Sequence, residues 1–383
     1  VSEPLPLVRT SERASFKRCP QQWFWAWRKG LRPRGRTPDA LWFGTGVHVA
    51  LAEYYPPGTK RGPHPAETWE IWADGEMRNI KIYAASSPNL YGDSDEIIHE
   101  YTDAIELGKS MLERYVIHHK GDPNWDVIAR EQPFGLMIPR RGTRREPFLR
   151  FHGTFDGVYR DLETGYLNLM EHKTAAMIST RHLSLDDQAG GYLMAAMAAL
   201  RRQGLIGENE YIRYIMYNFL RKALPDDRPQ NADGEFLNQP LKSQYIQEIL
   251  ASDIAVQLGL TFKQLNGYRK EQLAAAAEKY EIEVLGEVSK NQPPPYFERK
   301  AIERTKTERH RQLLRLQAEG EAMNRFRTGE QPLYKTPRYD CHKFCAFFDL
   351  CEVDEAGGNT EEFADAVYDV VDSYADHRKS TAE

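Results

Sequence analysis

This chain of 383 residues is poor in cysteine, with four, and has no apolar run that could cross a bilayer. The longest such run, around residues 192–200, falls far short of the roughly 20 residues a membrane helix needs. No charged leader followed by an apolar core opens the chain, so no secretory signal and no membrane partner are expected, and the expected compartment is the cytoplasm. A Gly-x-x-x-x-Gly-Lys-Ser/Thr run is also missing, so any nucleotide-driven motor would be another chain. There is little net charge: Lys+Arg 51 against Asp+Glu 56 gives −5, which by itself argues against nucleic acid. The distribution says otherwise. Residues 1–36 hold nine Lys/Arg and two Glu, whereas residues 352–383 hold ten acids and two bases, so the acidic end masks a basic one that could track phosphates.

What is present is concentrated in three places. Three of the four cysteines, Cys341, Cys345 and Cys351, fall within eleven residues, and Cys19 lies near the other end. Disulfides are disfavoured in a cytosolic chain, so these spacings read as metal ligands tying the two ends together. Zn²⁺ and an iron–sulfur cluster both accept four thiolates.

The second place is residues 153–173, which read as two strands joined by a tight turn at residues 161–165. Glu171 and Lys173 are two apart on the second strand and leave the same face, with Asp156 on its neighbour. Two carboxylates and an ammonium at a strand end suit a hard divalent ion, Mg²⁺ or Mn²⁺, and phosphodiester hydrolysis. An ion pair without chemistry is the alternative for an isolated Glu-x-Lys.

The third place is spread along the chain. Residues 10–30 read as one helix, with Phe16 and Trp23, Trp25 and Trp27 as core rather than base-stacking platforms. Gly44-Thr-Gly46 opens a second helix carrying His48, expected to be a metal ligand or a neighbour of one. Residues 66–119 are helical with a polar break near 86–95. A strand is expected over 127–134, in which Glu131 is either a further site acid or an edge charge. Arg140, Arg141, Arg144 and Arg145 follow it, a solvated loop or a clamp on a DNA backbone. After Lys173 comes a capped helix in which Gln188 and Tyr192, four apart, share a face. A strand over 211–220, helices over 241–290, a basic stretch over 297–315 and a weak helix over 361–374 complete the reading.

Gly44-x-x-x-His48, Gly153-x-x-Asp156, Glu171-x-Lys173 and Gln188-x-x-x-Tyr192, in this order, resemble the motifs of the RecB/AddB-type branch of the PD-(D/E)XK nucleases. Ser15-Phe-Lys-Arg-Cys19-Pro20 with the late cysteines resembles its iron–sulfur subset, which includes CRISPR-adaptation nucleases and phage exonucleases. The resemblance covers about residues 10–352 and implies a single nuclease domain over residues 1–352, with helical insertions at about 66–119 and 241–290 and an acidic tail at 353–383. It implies an α/β fold of restriction-endonuclease type, a central mixed sheet flanked by helices. It also implies a Mg²⁺- or Mn²⁺-dependent exonuclease that acts on single strands or ends of DNA and leaves 5′-phosphates. The setting it implies is recombination, repair or phage DNA processing, with a recombination or helicase protein as partner. His48, Asp156 and Glu171 would be metal ligands, with the His172 carbonyl a fourth. Lys173 would be catalytic, and Gln188 and Tyr192 would hold DNA or Lys173. Cys19, Cys341, Cys345 and Cys351 would hold a structural [4Fe–4S] cluster, although Cys341-x₃-Cys345 is one residue longer than the expected spacing and leaves Zn²⁺ open. The competing reading is a non-catalytic DNA-binding or complex-assembly subunit with the same fold.

Overall fold

The chain opens with β1 (Leu7–Arg9), which runs straight into α1 (Thr10–Arg18). Proline holds the residue before it out of the helical region, and Cys19, before Pro20, is extended at φ −162° and ψ 118°. The single helix expected over residues 10–30 is therefore broken. It resumes as α2 (Pro20–Trp23) and a π-helical turn over Phe24–Arg28, and β2 (Leu31–Pro33) follows. The structure is a computed structural model and describes residues 5–34, 40–86, 94–142 and 146–375. Arg144, Arg145 and most of the polar break near 86–95 lie outside the described residues.

Three helices come next: α3 (Ala40–Tyr54), α4 (Pro65–Ser86) and α5 (Ser94–His119). The glycines expected to start α3 lie inside it instead, because the apolar residues ahead of them extend the helix and bury Trp42 and Phe43. Gly46 has a different use. A Cβ there would collide with Trp69 and Trp72 of α4, so its bare backbone lets the two helices close on each other.

The remaining elements build the sheet and its second cover. They are β3 (Trp125–Pro139), β4 (Pro147–Asp161), β5 (Leu167–Ala175), α6 (Asp187–Arg202) and β6 (Ile212–Arg221). Residues Leu224–Pro295 form a compact unit of their own, with α7 (Lys242–Ala251), α8 (Asp253–Leu258), α9 (Phe262–Gly267) and α10 (Lys270–Lys279) packed around Ile246, Ile249, Leu265 and Leu273. Helix stops at Lys279 there, short of the expected 290. The other unit resumes with β7 (Phe297–Glu303) and α11 (Lys306–Arg327), then α12 (Cys341–Phe344), α13 (Phe348–Glu355), α14 (Thr360–Val367) and β8 (Tyr368–Val370).

The sheet order is β1–β4–β5–β6–β7, with β3 paired to β4. β1 with β4 and β5 with β6 are parallel, and the other pairs are antiparallel. Strand alternation sends successive side chains to opposite faces, and both faces are covered. Phe155 and Leu169 pack with Leu193 and Ala196 of α6 and Leu316 of α11. Tyr159 and Met170 pack with Leu51 of α3, Trp69 of α4 and Tyr115 of α5. This is the mixed sheet flanked by helices that the sequence leads one to expect.

Two features of this architecture matter for function. β3 occupies one edge of β4 along nearly its whole length. The other edge is shared: β1 lies opposite Arg150, Phe151 and His152, and β5 opposite Gly157 to Arg160. Among the described residues, 153–156 therefore have no strand beside them on that edge. The second feature is a clasp. β8 pairs antiparallel with β2, with Val370 opposite Leu31, and Trp25, Leu31, Phe347, Leu350 and Tyr368 form a buried cluster beside it. The acidic segment after residue 352 is thus folded over its described part rather than a free tail. Phe363, Val367 and Tyr368 give it an apolar side, and its helix ends at Val367 instead of reaching 374.

Candidate metal centre

Asp156 sits where the sheet opens. Pairing between β4 and β5 ends at Gly157 opposite Met170, and one residue further the strands part. The Asp156 carboxylate fills the gap, its Oδ2 accepting the backbone N–H of His172 at 2.5 Å. On the other side the register of β3 places Glu131 across from Asp156, since Arg130 faces Gly157 and Gln132 faces Phe155. Glu131 has φ +38°, in the left-handed region that costs an ordinary residue about 1–2 kcal/mol. His48 comes from α3, where Val47, Ala50 and Leu51 bury the sheet side of the helix. Its Nδ1 lies 3.4 Å from Asp156 Oδ1 and 3.5 Å from Glu131 Oε1. Ligand atoms of His48, Glu131 and Asp156 all lie within 4.8 Å of one another, the one such group among the described residues. The trio borders a cleft of about 890 Å³ whose walls include Arg9, Thr10, Gly153, Gln188 and Tyr192.

Glu171 and Lys173 stand next to this group. Lys173 Nζ lies 2.6 Å from Glu171 Oε1 and donates to Gln188 Oε1 at 3.2 Å. Gln188 is itself placed by the N-cap of α6: Asp186 Oδ1 accepts its backbone N–H at 2.9 Å, while Tyr217 donates its hydroxyl to Asp186 Oδ2 at 3.0 Å. One turn further on, Tyr192 packs edge-on against Phe134. Glu171 is only 1% exposed, and its Oε2 has no hydrogen-bond partner among the described residues. A buried carboxylate oxygen left bare is costly, and a cation is a natural partner for it.

The electrostatics separate the two acids. Burial pushes the Asp156 carboxyl up, but the adjacent His48 and the His172 N–H outweigh burial and hold it below the usual carboxylate range. For Glu171 burial wins over Lys173, and nearby Asp156 adds to it, so this carboxyl is held well above that range. Burial also opposes charge on His48, yet Asp156 and Glu131 together carry its imidazole well above the ordinary value. His172, buried, is pushed down to about 4. One nitrogen and several carboxylate oxygens, with net negative character, form a donor set that fits Mg²⁺ or Mn²⁺.

The expected trio was His48, Asp156 and Glu171. The structure brings the first two together but puts Glu131 in the third place, with Glu171 outside the close group because its Oε1 is drawn to Lys173. The His172 ring turns to the opposite face, where it stacks on Tyr55 at 6.1 Å. Arg140 follows β3, its backbone N–H on Glu146 O and its guanidinium over Phe148. Arg140 and Arg141 do not line the cleft, where Arg9 is the arginine among the described lining residues. Glu131 had one local signal, a carboxylate between the buried Ala129 and Phe134 of an apolar strand.

The four cysteines meet at one pocket, shared with Arg18, Trp25 and Lys335. All are free thiols. Backbone N–H groups of Thr336 and Arg338 approach Cys19 Sγ at 3.4 Å and Cys341 Sγ at 3.3 Å, a setting suited to thiolates. Burial lifts the Cys345 and Cys351 thiols above their ordinary range. No three of the four sulfurs draw together within 4.8 Å.

No curated protein sequence matches the chain. A family model described as the PD-(D/E)XK nuclease superfamily matches residues 10–352. With nine-tenths of its length matched and the mixed sheet in place, the chain belongs to the PD-(D/E)XK nuclease superfamily.

Proposed function

We propose that the protein is a metal-dependent DNA exonuclease that leaves 5′-phosphates. The observation that carries this reading is the convergence of His48, Glu131 and Asp156 beside the buried Glu171 and the Lys173–Gln188 pair bonded to it, at the open edge of β4. His48, Asp156, Glu131 and the bare Oε2 of Glu171 would hold one or two Mg²⁺ or Mn²⁺ ions, with the His172 carbonyl available as a further donor. When bound, such an ion lowers the pKa of a coordinated water and neutralises charge on the scissile phosphate. Lys173, fixed by Glu171 and Gln188, orients the attacking water and offsets the charge that builds on the phosphoryl oxygens. The new O–P bond forms as the P–O3′ bond breaks, giving a 5′-phosphate and a 3′-hydroxyl. Tyr192 and Gln188 line the wall against which the DNA strand would lie, and Arg140, Arg141, Arg144 and Arg145 would serve the DNA backbone.

For the cysteines we favour a structural [4Fe–4S] cluster. What supports it is that all four cysteines line one pocket, a set of four thiolate donors of the kind such a cluster takes. The test of function is digestion of single- and double-stranded DNA, labelled at either end, with each divalent metal. Asp156→Ala and Lys173→Ala should abolish cleavage with an unchanged circular dichroism spectrum. Cleavage retained by either variant refutes the site. DNA binding without cleavage by the unmodified chain would favour the non-catalytic subunit.

A further inference from the structure

On the face of β5 turned away from Lys173 lies a buried polar network that the proposed reaction does not use. Asp122 reaches in from the turn after α5, where Lys120 and Asp122 both have positive φ (51° and 50°). Arg299 comes from β7, Asn218 from β6, Tyr115 from α5 and Tyr55 from the residue just after α3. Hydrogen-bonding capacity fixes the direction of every bond among them. A guanidinium can only donate. Arg299 gives Nη1 to Asp122 Oδ1, Nη2 to Asp122 Oδ2 at 2.9 Å and to the Tyr115 hydroxyl at 3.0 Å, and Nε to Asn218 Oδ1 at 3.1 Å.

The oxygen of the Asn218 amide must therefore face Arg299. Its nitrogen, which can only donate, faces the Tyr115 hydroxyl at 2.9 Å and His172 Nδ1 at 2.8 Å. Tyr115, already accepting twice, passes its proton to the Tyr55 hydroxyl at 2.7 Å, and Tyr55 donates to Asp122 Oδ2 at 2.6 Å. His172 Nδ1 is left one role, that of acceptor, so the ring is neutral with its proton on Nε2. The same residue's backbone N–H is the one that holds Asp156 Oδ2.

We propose that Asn218, oriented by Arg299 and Asp122, is a positioning residue of the metal centre: it locks the His172 ring as the Nε2–H tautomer against Tyr55, and so keeps the His172 backbone N–H on Asp156. The proposal rests on the reading of His48 and Asp156 as metal ligands. Outer partners of this kind typically change metal affinity by about 10–100-fold.

The discriminating variant is Asn218→Asp, which keeps an acceptor for Arg299 and the side-chain volume but offers His172 only an acceptor, forcing a proton onto Nδ1. Two-bond ¹H–¹⁵N spectra of the metal-free protein read the tautomer directly, with the His172 signals assigned by their loss in His172→Gln. The native chain should show Nε2–H, and Asn218→Asp should not. Calorimetric titration with Mn²⁺ should then show affinity about 10–100-fold weaker in Asn218→Asp. Ile246→Ala, a buried change in the separate unit of residues 224–295, should stay within about twofold of the native chain. A native His172 protonated on Nδ1 overturns the proposal, and this measurement stands even if the variant does not fold. A changed tautomer with unchanged Mn²⁺ affinity also overturns it, leaving the network a role in folding alone. If the native chain has the Nε2–H tautomer but binds no Mn²⁺, the metal reading fails and takes the proposal with it, a result distinct from the other two.

Discussion

Replacing Glu131 by asparagine separates two contributions that this residue makes in opposite directions. Its φ of +38° costs an ordinary side chain about 1–2 kcal/mol, whereas asparagine visits that region more readily. The variant should therefore gain up to about 1 kcal/mol of metal-free stability, a rise in Tm of about 1 °C for a chain of 383 residues. The carboxylate it loses is one of three groups converging within 4.8 Å. At a Mn²⁺ concentration about 100 times Kd, the native chain gains about 2.7 kcal/mol from binding. If loss of a ligand weakens Kd about 100-fold, the same concentration stabilises the variant by only about 0.4 kcal/mol. Thermal melts with and without Mn²⁺ read both quantities, and cleavage of end-labelled DNA reads the third. The expected pattern is a higher metal-free Tm, a collapsed Mn²⁺ response and lost cleavage. A variant that keeps the full Mn²⁺ shift and full cleavage would refute the place given to Glu131.

Lys173→Ala should destabilise as well as inactivate, by about 3 kcal/mol, because it leaves the buried Glu171 carboxylate without its cation. Adding Glu171→Gln should recover most of that stability in a denaturant melt and none of the cleavage. For pH, both Glu171 and His48 have folded-state values raised above their ordinary 4.5 and 6.5. Each therefore contributes stability to the metal-free chain that is whole below the unfolded value and lost as pH rises through the raised one. Buried His172, held down at about 4, works with the opposite sign between about 4 and 6.5, so the metal response is the cleaner readout: the Mn²⁺-induced rise in Tm should grow as pH climbs, since binding requires Glu171 and His48 deprotonated. A Mn²⁺ response constant from pH 5 to 8 would contradict this. Cys19→Ser should lose visible absorbance and iron together and lower Tm, because the ligand that joins the two ends is gone. Stoichiometric zinc in the native protein, or an unchanged Tm in the variant, would overturn the cluster.

The strands bearing Asp156 and Glu171-x-Lys173 are legible in the sequence because alternation and turn residues are local signals. So is the N-cap that sets Gln188 over Lys173. Glu131 is only half legible: its strand offers it as a site acid or an edge charge, and the choice depends on the register of β3 against β4 across a hairpin of more than twenty residues. Asp122, Asn218 and Arg299 are harder still: they come from a loop and two strands, and nothing in their own neighbourhoods marks them. The break at Cys19 is written in Pro20, but the bulky apolar residues on both sides of it read together as one helix. Charge misleads at the other end, where acids dominate the composition while Phe363, Val367 and Tyr368 decide the packing.

The clasp of β2 with β8 sets an order of events during synthesis. Leu31 cannot find Val370 until almost the whole described chain has left the ribosome, whereas β3, β4 and β5 pair across short loops and can assemble well before. Until then Trp25, Ala26 and Leu31, which Phe347, Leu350 and Tyr368 later cover, stay bare. A product that stops short of Cys341 would carry that greasy face permanently, a mark by which quality-control proteases can sort unfinished chains from finished ones.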